Sequence, residues 1–279
     1  MRDSTWIVVP CYNEETRLDT VAFESAVSRA GSPVFLFVDD GSTDRTLAVL
    51  ESLAARMNER CRVLSLPENR GKAEAVRLGL SAALAEGAER VGYWDADLAT
   101  PLDVIDDFGR ELDERPEIEV VIGSRVRLLG RDIHRSAFRH YVGRVYAMMA
   151  SLTLGLAIYD TQCGAKLFRR THALERSLRE PFRSPWAFDV ELLQRLQAGW
   201  RQSGDQQILE VPLLRWHDVG ESKVSLRAGA RAYLFLLGLA LRRVLGLKPA
   251  ATGVVDPADA APEPAAAGSE ERRPPHVPA

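Results

Sequence analysis

Asp95-Ala96-Asp97 is the pair of side chains in this sequence best suited to hold a divalent cation. It closes a short apolar run, Arg90–Asp95, that reads as a strand. Carboxylates two apart on a strand share one face, and a turn at the strand end can bring both to one ion. Hard Mg2+ or Mn2+ takes oxygen ligands and commonly bridges one or two carboxylates to substrate phosphates. The plainer alternative is that the pair caps a helix beginning at Pro101. Two other strand ends carry acidic or turn residues, Pro10-Cys11-Tyr12-Asn13-Glu14-Glu15 and Asp39-Asp40-Gly41-Ser42-Thr43-Asp44. A nucleotide there would find an aromatic platform in Tyr12 and acceptors for base or ribose hydroxyls in Glu14, Asp39 and Asp40. Solvated turns are the alternative, since Asp40-Gly41 and Ser42 are ordinary turn and cap residues. Glycine-rich phosphate cradles are absent. No G-x-G-x-x-G follows a strand, and Gly71-Lys72 lacks the upstream glycine and the following Ser or Thr of a P-loop. A metal would do the neutralising instead.

These residues need a sheet to bring them together. Thr5–Pro10, Val34–Asp39, Arg62–Leu66, Arg90–Asp95 and Glu119–Ser124 are Val/Ile/Phe-rich runs ended by turn chemistry. Between them Arg17–Ala30, Thr43–Met57, Lys72–Glu86 and Pro101–Leu112 are amphipathic at helical period, with Ser42 or Thr43 expected to cap the second and Thr100-Pro101 to start the fourth. Such alternation predicts an α/β fold: a mostly parallel sheet with helices on both faces, binding ligands beyond the carboxyl ends of its strands. The second half is less regular. Tyr141–Leu156, Val190–Ala198 and Leu226–Leu247 read as helices and Ile208–Val211 as a strand. From Pro249 an Ala/Pro/Glu-rich stretch has too few large apolar residues to offset its ordering entropy, so disorder is expected over 249–279. The expected organisation is a catalytic unit over 1–225, an amphipathic helix over 226–248, and that tail.

The 279 residues are 46% hydrophobic and 27% charged, with a formal net charge of −3, a balance that argues against a general nucleic-acid binder. Cys11, Cys61 and Cys163 are scattered, which fits a reducing compartment. No secretory signal pattern opens the chain and no apolar run approaches the ~20 residues that span a bilayer. The cytoplasm is the expected address.

The series Pro10-Cys11-Tyr12-Asn13-Glu14, Asp39-Asp40-Gly41-Ser42-Thr43-Asp44, Asn69-Arg70-Gly71-Lys72 and Asp95-Ala96-Asp97 resembles family 2 glycosyltransferases of the GT-A (Rossmann-like) fold. Downstream, Asp160-Thr161-Gln162-Cys163-Gly164-Ala165-Lys166-Leu167-Phe168, Trp186-Ala187-Phe188-Asp189-Val190-Glu191 and Gly220-Glu221-Ser222-Lys223 are similar to dolichyl-phosphate β-glucosyltransferases, and more distantly to dolichyl-phosphate mannose synthases. The resemblance spans roughly residues 5 to 225. It implies that Pro10, Tyr12, Glu14 and Asp39 hold the nucleoside, with Asp40 and Lys72 nearby, and that Asp95 and Asp97 hold Mg2+ or Mn2+ on the diphosphate. Arg125 and Arg139 would meet the acceptor phosphate, and Gln162, Lys166, Asp189 and Lys223 would close the sugar and phosphate pocket. Ala99 stands where the mannose synthases carry a metal-binding glutamine, which favours glucose and leaves the third metal ligand open.

The implied reaction moves glucose from UDP-glucose to a polyprenyl phosphate with inversion. A phosphate monoester, with a second pKa near ~6, is already largely dianionic at neutral pH and needs positioning more than a base. Arg125, Arg127, Arg131, Arg135, Arg139 and Arg144 suit that role, a solvated basic loop being the alternative. Asp189 either orients the sugar, acts as a base, or caps the helix at Val190. The apolar stretch Ala232–Leu247, bounded by Arg231, Arg242, Arg243 and Lys248, reads as a helix lying in a bilayer interface, so peripheral contact with the inner face of the cell membrane is expected, alternatively core or dimer packing. Tyr141–Leu156 invites the same reading. Rival functions are a mannosyltransferase using GDP-mannose, a transferase to a sugar hydroxyl, and a nucleotide-sugar-binding scaffold.

Overall fold

Chain alternation sets the architecture. The structure, a computed structural model, describes residues 5–29, 31–134, 137–200, 204–217, 233–241 and 245. The first half runs β1 (Thr5–Cys11), α1 (Thr20–Val27), β2 (Val34–Asp39), α2 (Thr46–Met57), β3 (Cys61–Ser65), α3 (Lys72–Ala85), β4 (Arg90–Trp94), α4 (Val104–Glu114) and β5 (Val120–Ser124). The second half adds β6 (Asp132–His134), α5 (Ala137–Leu154), β7 (Ala165–Arg169), α6 (His172–Ser177), α7 (Phe188–Gly199), β8 (Ile208–Pro212) and β9 (Arg215–His217). Residues 233–241 form a further helix, α8.

Seven strands pair in the order β3-β2-β1-β4-β7-β5-β8, all parallel except β7, which runs antiparallel to both β4 and β5. Successive side chains on β1 serve opposite layers. Val8 joins the cluster under α3 and α7 with Leu80, Tyr93 and Leu193, whereas Ile7 and Val9 join Phe23, Leu50 and Phe108 on the other face. This two-sided burial is why the strands read as continuous apolar runs. β6 and β9 pair as a separate parallel ribbon.

Local chemistry corrects several expected boundaries. α2 begins at Thr46, where Asp44 Oδ1 accepts from the Thr46 amide at 2.9 Å, so neither Ser42 nor Thr43 is its cap. Those two residues bond Asn13 instead, Ser42 Oγ accepting from its amide and the Thr43 amide donating to Asn13 Oδ1. α4 starts at Val104, after a turn through Leu102 and Asp103, and not at Pro101. Sequence periodicity passed over β7. It is five residues long, buried on both faces and contains a lysine, so it shows neither alternation nor an uninterrupted apolar run.

Candidate active site

Parallel pairing aligns the carboxyl ends of β1, β2 and β4, and the residues that follow them share one edge. The loops there are laced together. Besides the Asn13 bonds, the Glu14 amide donates to Thr46 Oγ1 at 2.8 Å and Arg45 pairs with Glu15 at 2.6 Å. Asp39 is buried, and its carboxylate accepts from the Ser42 amide at 3.3 Å and Ser65 Oγ at 3.5 Å. Pro10 and Tyr12 lie half-buried beside it.

Two expected nucleoside contacts are occupied by the protein. Both oxygens of Asp40 accept backbone amides, from Arg70 and Gly71, each at 2.8 Å. Asp40 therefore anchors the Asn69-Arg70-Gly71 loop, whose close approach leaves no room at Gly41: a Cβ there would stand 2.4 Å from the Glu68 carbonyl carbon. Glu14 accepts a two-pronged pair from Arg17 Nε and Nη2, both at 2.8 Å.

Anchoring that loop delivers Lys72, the first residue of α3, to the metal-type carboxylates. Lys72 Nζ donates to Asp95 Oδ1 at 2.5 Å. Desolvation works against its charge, but the fields of Asp95, Asp189 and Asp97 prevail and hold its pKa above the ordinary lysine value. Asp97 follows two residues on, accepting the Ala99 amide at 3.1 Å. Leu98 between them has φ 52°, a left-handed turn uncommon for a non-glycine residue, and it takes the chain off the strand direction. Burial, and then the charge of Asp95, push the Asp97 carboxyl pKa upward. A half-exposed carboxylate near enough to raise the proton affinity of Asp97 fits, with it, a divalent ion better than a helix cap. Neither carboxylate caps α4. Among the described residues no group of three or more His, Cys, Asp or Glu could hold a metal, so a cation at Asp95 and Asp97 would complete its shell with phosphate and water.

β7 closes the site from behind. Gly164, just before it, accepts the Asp95 amide at 3.0 Å and leaves space for the carboxylate. Lys166, expected among the lining residues, is 1% exposed. Its Nζ donates to Cys163 O and to Asp189 Oδ1, both at 2.6 Å. Asp189 sits in the first turn of α7 and also accepts from the Tyr93 hydroxyl. It makes no side-chain cap, so that reading is set aside.

A second cleft is lined by Arg125, Arg144, Tyr146, Tyr159, Thr161 and Gln162. Arg125 is fixed by Asp160, its Nε donating to Oδ2 at 2.6 Å and Nη2 to Oδ1 at 2.8 Å, with the Trp216 ring 5.4 Å away. Glu210 on β8 holds that wall by accepting the amides of Tyr159 at 2.8 Å and Asp160 at 2.6 Å. Arg144 lies over the Tyr159 ring at 4.2 Å. The Thr161 hydroxyl is buried without a partner among the described residues. The segment that lines this cleft at Thr161 and Gln162 runs on to Gly164, whose carbonyl accepts the Asp95 amide at 3.0 Å, so the cleft adjoins the carboxylate edge. Gln162 lies on its rim, with Nε2 donating to Trp186 O at 3.3 Å. Arg139 lies within α5, its side chain outside the described residues, as is all of Lys223. Tyr93, Arg17, Tyr146, Thr161, Asp160 and Glu210 were not anticipated as site residues. Only the motif around Asp160 offered a signal.

A parallel sheet with an acid-lined carboxyl edge, crossed by one antiparallel strand, is a mixed α/β architecture of GT-A type. The chain belongs to glycosyl transferase family 2, whose model matches residues 6–175. It is 35% identical over 241 residues to a dolichyl-phosphate beta-glucosyltransferase of Drosophila melanogaster, covering 78% of this chain and 68% of that one. A human protein of the same name is 31% identical over 246 residues, covering 79% and 74%. Among solved structures, glucosyl-3-phosphoglycerate synthase from Mycobacterium tuberculosis, in complex with Mn2+ and UDP-glucose, aligns with TM-score 0.60 at 22% identity over 90% of this chain and 82% of that one. That likeness bears on the fold.

Proposed function

We propose that this enzyme transfers glucose from UDP-glucose to the phosphate of a polyprenyl, dolichyl-type lipid, giving polyprenyl-phosphate β-glucose and UDP. One observation carries the reading. The Lys72, Asp95 and Asp97 cluster, suited to a metal-bound diphosphate, adjoins a cleft whose two arginines and buried Thr161 hydroxyl suit a phosphate. The names of the relatives support glucose and a dolichyl phosphate.

The acceptor oxygen attacks the anomeric carbon in line. The bond from that carbon to the diphosphate oxygen breaks, its electron pair leaves with UDP, and configuration inverts. Mg2+ or Mn2+, when bound by Asp95 and Asp97, supplies charge neutralisation on the diphosphate. Lys72 adds a fixed positive charge where negative charge develops. Arg125, held rigid by Asp160, and Arg144 orient the acceptor, which is already an anion at neutral pH.

The lipid reading extends to the surface. Val145, Met148 and Leu152 on α5, and Leu234, Leu237 and Leu241 on α8, are exposed at the same i, i+3, i+7 spacing. α8 is seated on α5 through a Tyr146–Tyr233 edge contact at 5.7 Å and the Thr153 hydroxyl donating to Leu236 O at 3.4 Å. Among the described residues no helix is long and apolar enough to cross a membrane. Peripheral contact with the cytoplasmic face of a membrane follows as part of the proposal. The test is incubation with Mn2+, polyprenyl phosphate and radiolabelled UDP- and GDP-sugars, followed by organic extraction. Label from UDP-glucose in the organic phase is expected. Label only in water-soluble product would overturn the acceptor, and label from GDP-mannose the donor.

A further inference from the structure

The short stretch after β8, residues 213–217, bonds two loops that belong to different halves of the site. The Leu213 amide donates to Ser124 O at 2.9 Å, beside Arg125, and Leu214 O accepts the Asp132 amide at 2.9 Å, where β6 starts. The remaining contacts go the other way. Arg215 Nη2 donates to Asp103 Oδ2 at 3.1 Å, and the His217 amide donates to Ala99 O at 3.3 Å. Ala99 in turn donates its own amide to Asp97 Oδ1 at 3.1 Å. The loop of the metal-type carboxylates and the loop of the arginine cleft are thus strapped to one strand, β9.

Trp216 is the buried side chain of that strand. It shares an apolar cluster with Ala96, Ala99 and Leu102 from the carboxylate loop and with Ile133, its register partner on β6. Arg125 Cζ stands over its ring, 5.4 Å from the centroid. Asp160 already takes Arg125 Nε and Nη2, which fixes one edge of the guanidinium but leaves the plane free to tilt about that edge. An indole face attracts the flat cation and selects one tilt. Nη1, which donates to no described residue, is left for a ligand. Filling the cluster alone would not require an aromatic face turned to a cation.

We propose that Trp216 is a positioning residue: its ring sets the tilt of Arg125 and its strand refers that tilt to Asp97, so that the acceptor phosphate lines up with the metal-bound diphosphate. The inference rests on the donor and acceptor reading above and extends it to a residue outside the cleft lining. In-line attack depends on alignment, and a misplacement of about 1 Å can lower the rate by about 10²-fold. Donor binding has supports of its own, Lys72 on Asp95 and the Gly164 carbonyl on the Asp95 amide.

The test is a double-mutant cycle on kcat with Trp216→Phe and Arg125→Lys, at saturating UDP-glucose, Mn2+ and polyprenyl phosphate. Phenylalanine holds a cation less well than tryptophan, and lysine keeps the charge but has no plane to tilt. Trp216→Phe should lower kcat about tenfold in the wild-type background and about twofold or less in Arg125→Lys. UDP-glucose affinity, measured with Mn2+ and no acceptor, should stay within about twofold in all four proteins. Trp216→Leu removes the ring and should lose about 10²-fold in kcat; if it does not fold, the phenylalanine cycle decides. A residue that only packs would lower kcat by the same factor in both backgrounds, and that result, or wild-type kcat in Trp216→Phe, would overturn the proposal. Full turnover in Arg125→Lys would overturn the acceptor reading and this role with it. An impaired Arg125→Lys on which Trp216→Phe acts additively would remove the role of Trp216 alone.

Discussion

Gly164→Ala should disable the site without unfolding the protein. A Cβ on Gly164 would stand 2.0 Å from Asp95 Oδ2 and 2.2 Å from its Cγ, where real Cβ atoms keep at least 3.0 Å. The carboxylate must therefore move by at least 1.0 Å, the gap between those figures. It can do so, because the Asp95 side chain is 35% exposed and the lysine bonded to it, Lys72, is a flexible chain end 44% exposed. Misplacing a reacting group by about 1 Å can lower the rate by about 10²-fold, which is about 2.7 kcal/mol of transition-state stabilisation. Gly92→Ala is the contrasting control. Its Cβ would meet the main-chain oxygen of Lys166 at 2.4 Å, between paired strands that cannot swing aside, so about 1–3 kcal/mol of stability should be lost. The assay is kcat/KM for UDP-glucose across a Mn2+ titration, with Tm recorded on the same samples. Gly164→Ala should lose about 10²-fold in kcat/KM, need more Mn2+, and keep its Tm within about 3 °C of wild type. Wild-type turnover and metal dependence in Gly164→Ala would refute the reasoning, because Asp95 would then not be required where the structure puts it.

Other consequences are as direct. Asp160→Ala leaves the largely enclosed Arg125 guanidinium, 14% exposed, without its two-pronged partner, so about 3 kcal/mol of stability should be lost, measured by urea unfolding. An unchanged midpoint would show that the pair contributes nothing. Glu210→Ala frees the amides of Tyr159 and Asp160 and should raise the KM for lipid phosphate while leaving UDP-glucose affinity unchanged. Equal effects on both substrates would contradict a role confined to the acceptor wall. Replacing Leu234, Leu237 and Leu241 by Ser should weaken co-sedimentation with liposomes by about tenfold or more, since each leucine buried contributes about 1.5–3 kcal/mol at most. The rate with a short-chain acceptor in solution should stay as it was.

Much of this arrangement was legible as pattern and less of it as partnership. The first four strands and helices follow from short apolar runs alternating with helical period, because a sheet covered on both faces imposes that pattern locally. Asp95 and Asp97 stood out because two other strand ends place acidic or turn residues on the same edge of the sheet. What the pattern concealed was set by tertiary pairing. β7 enters the sheet antiparallel between β4 and β5, and only that insertion puts Gly164 against Asp95 and Lys166 beneath Asp189. Tyr93 reads as a core aromatic on β4, and its hydroxyl acquires a role only once α7 packs across it. Asp40 has the residue type of a ribose acceptor, yet the returning Arg70-Gly71 backbone takes up both its oxygens. Residue type announces capacity, and the fold decides which capacity is already spent.

The most direct test of the whole account is a crystal of the protein with Mn2+ and UDP-glucose, with anomalous data collected at the manganese edge. The account places the manganese peak between Asp95, Asp97 and the diphosphate, with Lys72 Nζ against the phosphate oxygens and the hexose directed toward Asp189 and the Arg125–Arg144 cleft. A manganese peak bound elsewhere, or a diphosphate seated without contact to either aspartate, would contradict it.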